Sequence, residues 1–206
     1  MERLWPDLPP ERAAGSLRVA LHELRRGLAP ELEANAPGNP VLAEGETIRL
    51  ALGDGDEWDA AAILEVVGAD AAESLEVEVD RLRGAERRYA GPFLPEWPYE
   101  DWAAATRAEL EDGYREVLVR LADALMTTGR VSEAIRWYRK LLTLDPEREG
   151  SHRALMRCYA AAGERAQALR QYHACRTVLQ REQGIPPSPE TRALYAELLG
   201  DGPAAD

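Results

Sequence analysis

The chain has 206 residues, of which 45% are hydrophobic and 30% are charged, a balance typical of a globular protein and too apolar for a disordered chain. The formal net charge of −12 excludes a protein that coats nucleic acid with its whole surface, so a nucleic-acid contact would have to be a local basic patch. No apolar run approaches the length of a membrane span, and the first residues lack the pattern of a signal peptide, so we expect a soluble, cytoplasmic protein.

The first predicted element is an amphipathic helix over residues 11–29, which ends before Pro30. We expect its apolar stripe to anchor the helix to the rest of its domain. The stripe consists of Leu17, Leu21, Leu24 and Leu28. The opposite side is basic, because residues 12–29 include four arginines and one glutamate. The candidates on this basic side are Arg12, Arg18, His22, Arg25 and Arg26.

Residues 40–52 are predicted to form a β-hairpin. Pro40–Ala43 supplies the first strand, and the alternation of apolar and polar residues in Thr47–Leu52 indicates the second. The turn between them, Glu44–Glu46, is acidic. An acidic turn would repel a phosphate backbone, so the hairpin is a weaker DNA-binding candidate than the helix.

Gly53–Asp56 has the composition of a linker, so we predict one domain over residues 1–55 and a second over residues 56–206. Apolar residues at helical spacing predict two helices at the start of the second domain, over residues 59–67 and 72–88.

The next segment, Tyr89–Pro98, is rich in proline and glycine and carries four large apolar side chains. Because exposing such groups to water is costly, we expect the segment to pack across the helices. The five tryptophans of the chain lack the interleaved basic groups of a surface that stacks single-stranded nucleic acid, so they are interpreted as packing residues. They are Trp5, Trp58, Trp97, Trp102 and Trp137. A long helix is predicted from Asp101 to about Met126, with Gly113 as a mild weakness.

An internal repeat follows. The pattern Leu121-x7-Gly129-x4-Ala134-x3-Tyr138 recurs 34 residues later as Leu155-x7-Gly163-x4-Ala168-x3-Tyr172. The alanines suit close helix crossings and the glycines suit the ends of the first helices. This spacing resembles the tetratricopeptide repeat (TPR), with copies at about residues 115–148 and 149–183. In the second copy, His152 stands where a large apolar residue is usual.

A last helix is predicted to begin after Ser188, which would be its N-cap, with Pro189 and Glu190 in the first turn. Cys158 and Cys175 do not form a Cys-x-x-Cys pair and are interpreted as packing thiols. The sequence has no nucleophile, phosphate-binding or zinc-protease motif, so no catalytic residue, cofactor or metal is predicted.

A basic helix followed by a small hairpin is the order found in winged-helix DNA-binding proteins. We predict that Arg18, His22 and Arg25 face the bases and that Arg12 and Arg26 contact phosphates, since guanidinium groups bind both phosphates and guanine edges. The alternative is that the arginines belong to an ordinary solvated helix face.

Four motifs resemble the Streptomyces antibiotic regulatory protein (SARP) family over nearly the whole chain. One is Leu4–Ala13 with Leu17-Arg18 and Leu24-Arg25-Arg26. Another is Tyr89-x-Gly91-x-Phe93-Leu94-Pro95 with Tyr99-x-x-Trp102. A third, in the second repeat, is Leu155-Met156-x-x-Tyr159-x-x-x-Gly163. The most specific is Gly184-Ile185-x-Pro187-Ser188-Pro189-Glu190-Thr191.

The resemblance implies a mostly α fold. It consists of a TPR-like bacterial transcriptional activation domain preceded by a partial winged-helix module with a β-hairpin. It also implies a non-enzymatic transcriptional regulator that binds double-stranded promoter DNA and a protein partner, such as RNA polymerase or a second protomer. In that family a sheet and two helices precede the recognition helix, whereas ten residues precede Glu11 here, so only the C-terminal part of a winged helix is expected.

A second candidate surface is the groove lined by the first helices of the repeats, which would accept a peptide, a helix or another protomer. Its predicted residues are acidic in the first repeat and basic in the second. They are Glu116, Val119, Asp123, Met126, Arg153, Arg157 and Ala160. The competing function is a TPR-type interaction scaffold, or a regulatory fragment of a larger regulator, that does not bind DNA on its own.

Overall fold

The helices and strands of the chain fall into two sets. The computed structural model describes residues 4–33, 36–44, 47–51, 53, 58–70 and 72–200. The chain forms two compact units, Met1–Glu57 and Trp58–Asp206. Residues 45 and 46 of the predicted turn and residues 54–56 of the predicted linker lie outside the described residues.

The first unit contains helix α1 (Pro10–Leu28) and strands β1 (Val41–Glu44) and β2 (Thr47–Leu50). The strands pair in an antiparallel register that places Val41 opposite Leu50. A helix and a hairpin are therefore present where the sequence patterns predict them. Proline at the first position of α1 costs no hydrogen bond, because the N–H groups of the first helical turn have no partner within the helix.

The apolar stripe of α1 is only half covered. Leu17 and Leu21 are half-buried, whereas the exposed fractions of Leu24 and Leu28 are 47% and 50%. The expectation that all four leucines anchor the helix is therefore wrong for the last two. The hairpin has two short strands and does not cover the full length of α1.

The second unit is built from helices that pack in successive pairs: α2 on α3, α4 on α5, and α6 on α7, with α8 contacting both α6 and α7. This confirms the prediction of a mostly helical fold with TPR-like repeats. The helices are α2 (Asp59–Gly68), α3 (Leu75–Arg88), α4 (Asp101–Thr127), α5 (Val131–Leu144), α6 (Glu149–Ala161), α7 (Arg165–Glu182) and α8 (Pro189–Leu199).

The small residues that recur in both repeats lie where a larger side chain would not fit or where the backbone favours glycine. Ala134 and Ala168 are fully buried where the helices of each pair cross. Gly129 and Gly163 follow α4 and α6 with φ of +75° and +77°, a left-handed conformation that favours glycine. The chain can therefore reverse direction at the same point of each repeat.

Gly113 in the middle of α4 has a role that the sequence did not reveal. A Cβ atom at this position would lie 2.7 Å from Cγ2 of Ile63 in α2. Glycine thus permits the close approach of α2 and α4, and the position is a packing requirement rather than a weakness.

A buried carboxylate joins α3 to α4 and to the end of α2. Glu78 accepts hydrogen bonds from Arg120 at 2.5 Å and Arg81 at 2.6 Å, and Arg120 also donates to the carbonyl of Val66 at 2.9 Å. Burial opposes ionisation of Glu78, but the hydrogen bonds and charges of Arg120 and Arg81 outweigh it and lower its pKa. The carboxylate is therefore fixed in its charged form.

His152, in the apolar position of the second repeat, is buried and uses both ring nitrogens. Its Nε2 donates to the carbonyl of Pro146 at 2.8 Å, and its Nδ1 lies 2.5 Å from the amide nitrogen of Gln171. Because a carbonyl only accepts, Nε2 carries the hydrogen and Nδ1 is left as an acceptor for Gln171. The ring replaces an apolar contact with two hydrogen bonds.

The segment between α3 and α4 packs on the helices only in part. Tyr89 stacks on Tyr114 with ring centroids 4.1 Å apart, and Phe93 packs against the core, as predicted. Trp97, however, is 59% exposed, and Trp58 and Trp102 are also exposed. The interpretation of all five tryptophans as packing residues is therefore wrong for these three.

Candidate DNA-binding helix and partner-binding groove

Four of the five predicted DNA-binding residues are exposed on α1: Arg12, Arg18, His22 and Arg26. At 100° per residue their side chains spread over one side of the helix, whereas Ala13 on another side is buried. Arg26 lies in the last turn, where a positive charge complements the partial negative charge of the helix end. The helix therefore presents three guanidinium groups and one imidazole to solvent.

Arg25, the fifth predicted residue, has a structural contact. It is half-buried, and its Nε donates to the carbonyl of Val41 at 3.1 Å. This bond ties the last turn of α1 to β1. The sequence placed Arg25 with Arg18 and His22 because of spacing alone, and spacing does not reveal a backbone partner 16 positions away.

Two further charges modify the electrostatics of this unit. Glu23 is exposed on α1 and reduces its positive charge. Arg49 is exposed on β2, opposite Leu42 of β1, and adds a cation to the hairpin. Sequence reasoning did not single out Arg49, although the alternating pattern of the second strand placed it on one face.

The α4 half of the predicted groove combines apolar and acidic groups. Val119 and Met126 are half-buried and pack against the core, and Met126 Sδ lies 3.6 Å from Cys158 Sγ of α6. Asp123 is exposed and accepts a short hydrogen bond from the hydroxyl of Tyr138. Burial and this carboxylate raise the pKa of Tyr138, so the hydroxyl stays protonated and keeps Asp123 in place.

Glu116 lies one turn before Val119 in α4 and is half-buried. It lines a cleft of about 550 Å³ that Asp112 and Arg115 share with the segment Leu144–Arg148. Arg115 donates to Asp112 at 2.6 Å. This end of the groove is therefore polar and contains charges of both signs.

The α6 half of the groove differs from the prediction in its accessibility. Arg157 is exposed, but Arg153 is half-buried and donates to Oγ1 of Thr191 in α8 at 3.1 Å. Arg153 therefore contributes to the contact between α6 and α8. The structure brings Met126 to α6 and leaves Asp123 and Arg157 exposed.

The contact between α6 and α8 gives a physical reason for the C-terminal motif. The Ser188 N–H donates to Glu149 of α6 at 2.7 Å, and the Ser188 hydroxyl accepts from the Thr191 N–H at 3.4 Å as the N-cap of α8. Thr191 is fully buried and accepts from Arg153. The serine and threonine of the motif thus start α8 and dock it on the repeat.

Both thiols are buried in the second unit. Burial raises the pKa of Cys158 and of Cys175 to about 11, so both stay protonated. Within the described parts of the chain, no group of three or more histidine, cysteine or acidic residues is arranged to hold a metal ion. Among the same described residues, no helix has the length and apolar character needed to cross a membrane.

An exposed basic helix with a hairpin, in one chain with paired repeat helices, is an arrangement typical of a transcriptional regulator. Residues 59–199 match the family described as the bacterial transcriptional activator domain. The chain belongs to this family, and with it to the regulators of the SARP type.

Two curated relatives are similar to the chain over almost its whole length. The transcriptional regulatory protein MoaR1 of Mycobacterium tuberculosis is 28% identical over 214 residues, which cover 100% of this chain and 67% of MoaR1. The regulatory protein AfsR of Streptomyces griseus is 26% identical over 212 residues, which cover 97% of this chain and 20% of AfsR.

A solved structure shows a similar fold. EmbR of Mycobacterium tuberculosis, in complex with a low affinity phosphopeptide, matches with a TM-score of 0.77 and 25% identity. The match covers 99% of this chain and 54% of the EmbR chain. The chain thus spans about half the length of that neighbour and a fifth of AfsR.

Proposed function

We propose that this chain binds double-stranded promoter DNA through α1 and a protein partner through the groove of its repeats. The observation that carries the DNA-binding part is the exposed row of Arg12, Arg18, His22 and Arg26 on a helix whose other side contacts a hairpin. A helix fits the major groove of DNA, and exposed guanidinium groups bind phosphates and guanine edges.

We assign a separate role to each basic residue of α1. Arg18 and His22 are the candidates for base edges, and Arg12 and Arg26 are the candidates for phosphates. Arg25 is best assigned a positioning role, since its guanidinium binds the carbonyl of Val41. It would hold the hairpin beside the helix and so set the distance between two DNA contacts.

The groove is proposed to accept a helix or peptide of RNA polymerase or of a second protomer. Half-buried Val119 and Met126 supply an apolar floor, and exposed Asp123 and Arg157 supply opposite charges. A helix laid in a groove is recognised by this combination of apolar anchors and flanking charges. The proposed activity is non-enzymatic and cytoplasmic, because promoter DNA and RNA polymerase are the targets.

A mobility shift with duplex DNA from the region upstream of the gene tests the DNA-binding proposal. We expect the wild-type chain to bind and the double substitution Arg18→Glu with Arg26→Glu to abolish binding, since each change turns an attraction to phosphate into a repulsion. Both side chains are exposed, so the helical content measured by circular dichroism should not change.

The matched control is Arg176→Glu with Arg192→Glu, which makes the same change of charge at exposed positions of α7 and α8. The control should bind like the wild type. If both double variants lose binding equally, the overall charge of the chain rather than α1 controls the interaction.

The partner groove is tested by sedimentation velocity and by co-purification with RNA polymerase. We expect Met126→Glu to weaken association with the partner, because it places a charge on the apolar floor. Leu199→Glu, an exposed substitution at the end of α8, is the control. Equal association of both variants would contradict the groove assignment.

The competing function is a scaffold that does not bind DNA on its own. Its specific support is the chemistry of α1, where Glu23 lies among the basic residues and Leu24 and Leu28 are half exposed. An apolar, partly acidic surface suits a protein better than a phosphate backbone. No duplex binding at low salt would favour this function.

A further inference from the structure

Six residues at the end of the connection between α3 and α4 and at the start of α4 form a second exposed surface, here called the aromatic loop. Its members are Glu96, Trp97, Tyr99, Glu100, Asp101 and Trp102. The exposed fractions are 59% for Trp97, 94% for Tyr99 and 43% for Trp102. Single exposed apolar residues are common on protein surfaces, but three large aromatic side chains within six positions form a patch.

The aromatic loop has a fixed backbone. The guanidinium of Arg107 donates to the carbonyls of Phe93 at 3.1 Å, Trp97 at 3.0 Å and Pro98 at 3.1 Å. A turn closes between Trp97 and Glu100, whose N–H donates to the Trp97 carbonyl at 3.4 Å. These bonds fix the backbone at Trp97 and Pro98, beside the exposed aromatic side chains.

The charges around the aromatic side chains are mostly negative, and the guanidinium of Arg107 is a cation that contacts the loop from the backbone side. From Tyr89 to Thr106 the sequence contains three carboxylates and no lysine, arginine or histidine. One carboxylate, Glu100, accepts from the indole N–H of Trp102 at 3.0 Å and so lies against an aromatic ring. Arg107 is occupied by backbone carbonyls.

The aromatic rings and carboxylates of the aromatic loop indicate which class of ligand it would bind. Carboxylates repel phosphates, and surfaces that stack single-stranded nucleic acid combine aromatic rings with a positive groove, so a nucleic acid does not fit. A guanidinium stacks on an aromatic face and also binds a carboxylate through two hydrogen bonds, whereas an ammonium does so less well. Tryptophan and tyrosine are also the side chains that most often dominate protein interfaces.

From this geometry we propose that the aromatic loop is a docking surface for an arginine-rich segment of a protein partner. The occupant is identified by charge complementarity: three exposed aromatic faces beside three carboxylates match a row of guanidinium groups. This surface is separate from the groove residues proposed above, so either can fail without the other.

The proposal is tested on the full chain by fluorescence anisotropy with a labelled octa-arginine peptide. We expect the double substitution Trp97→Ala with Tyr99→Ala to weaken binding roughly tenfold, the sum of two exposed cation–π contacts. Because both residues are exposed, the melting temperature should not change. The single substitution Trp97→Leu keeps an apolar side chain and should also weaken binding. An octa-lysine peptide should bind more weakly than octa-arginine.

A pair of matched charge variants separates docking from general attraction to an acidic protein. Glu96→Gln with Glu100→Gln removes two carboxylates of the aromatic loop, and Glu73→Gln with Asp80→Asn removes two exposed carboxylates elsewhere. We expect a larger loss for the first pair.

Equal losses for the two pairs, or wild-type affinity in the aromatic variants, would overturn the proposal. Self-association of the chain that disappears in Trp97→Ala with Tyr99→Ala, without peptide binding by the wild type, would also overturn it, by showing that the occupant is a second copy.

Discussion

The two units of the chain cover their apolar surfaces to different extents. In the second unit the apolar stripe of each repeat helix meets a neighbouring helix, and residues such as Leu118, Leu121 and Leu125 of α4 are fully buried. In the first unit α1 has a short hairpin as its neighbour, and Leu24 and Leu28 remain about half exposed. Apolar burial is the main favourable term in folding, so most of the stability lies in the second unit.

This difference indicates a division of roles. The second unit contains the buried polar contacts and close crossings that fix one structure, whereas the first unit contains a small fold with a cationic surface. Substitutions of buried residues in the second unit should therefore affect folding, and substitutions of the exposed basic residues in the first unit should affect binding with smaller effects on stability.

The largest expected effect is on the helix crossing of the second repeat. Ala168→Trp should destabilise the second unit by more than about 3 kcal/mol, because Ala168 is fully buried and an indole does not fit the crossing. Thermal unfolding followed by circular dichroism measures this. Ala174→Trp, at an exposed position of the same helix, should have little effect. Equal melting of the two variants would contradict the repeat packing.

The next effect concerns the carboxylate between α3 and α4. Glu78→Gln should cost about 3 kcal/mol, because it leaves the guanidiniums of Arg81 and Arg120 without their buried counter-charge. The pKa of Glu78 is lowered, so its contribution is present above its ordinary value of 4.5 and is lost as the pH falls below it.

Urea unfolding at neutral and acidic pH checks both parts of this prediction. Glu76→Gln, an exposed change on the same helix, is the control and should be close to the wild type at neutral pH. A Glu78→Gln variant as stable as the control would show that the two ion pairs contribute nothing.

A smaller effect is expected from His152. Burial lowers the pKa of this ring below its ordinary value of 6.5, although the bond to Pro146 and the charges of Glu149 and Asp145 oppose the shift. As the pH falls below 6.5, the unfolded chain takes up a proton that the folded chain does not, so the folded state loses stability.

Substituting His152→Leu should make stability less dependent on pH in this range, since leucine has no group that titrates. Urea unfolding between pH 7 and 5 measures the difference, and His173→Leu, an exposed histidine on α7, provides the control. Identical pH profiles for the wild type and His152→Leu would refute the assignment.

The smallest effect is expected in the first unit. Arg25→Ala should loosen the hairpin by about 1 kcal/mol, because it removes the hydrogen bond to Val41. Amide hydrogen exchange in β2 reports this opening. Arg26→Ala, the exposed neighbour, should leave the exchange rates unchanged. A similar increase of the exchange rates in both variants would show that the hydrogen bond of Arg25 does not hold the hairpin.

The sequence predicted the elements well because they depend on local patterns. Apolar residues at helical spacing, Pro9 and Pro10 at the start of α1, and Ser188 before α8 all act within one or two turns. The repeated Ala134 and Ala168 indicate the paired packing.

Features that depend on distant neighbours were not predictable in this way. Gly113 permits an approach to Ile63, and Arg25 binds a carbonyl of β1. Arg107 donates to the backbone carbonyls of Trp97 and Pro98, and no local pattern indicates these bonds. The sequence identifies the basic side chains of α1 as candidates for DNA binding. It does not indicate which of them forms a hydrogen bond within the first unit.

The salt dependence of duplex binding tests the central claim, that α1 is a DNA-binding helix, most directly. In a plot of log affinity against log salt concentration, each phosphate neutralised contributes a slope of about −0.9. We predict a steep negative slope for the wild type and for Arg176→Glu with Arg192→Glu. The variant Arg12→Gln with Arg26→Gln, which removes the two proposed phosphate contacts without reversing their charge, should bind with a slope smaller by about two. No binding by the wild type at low salt, or the same slope for all three proteins, would contradict the claim.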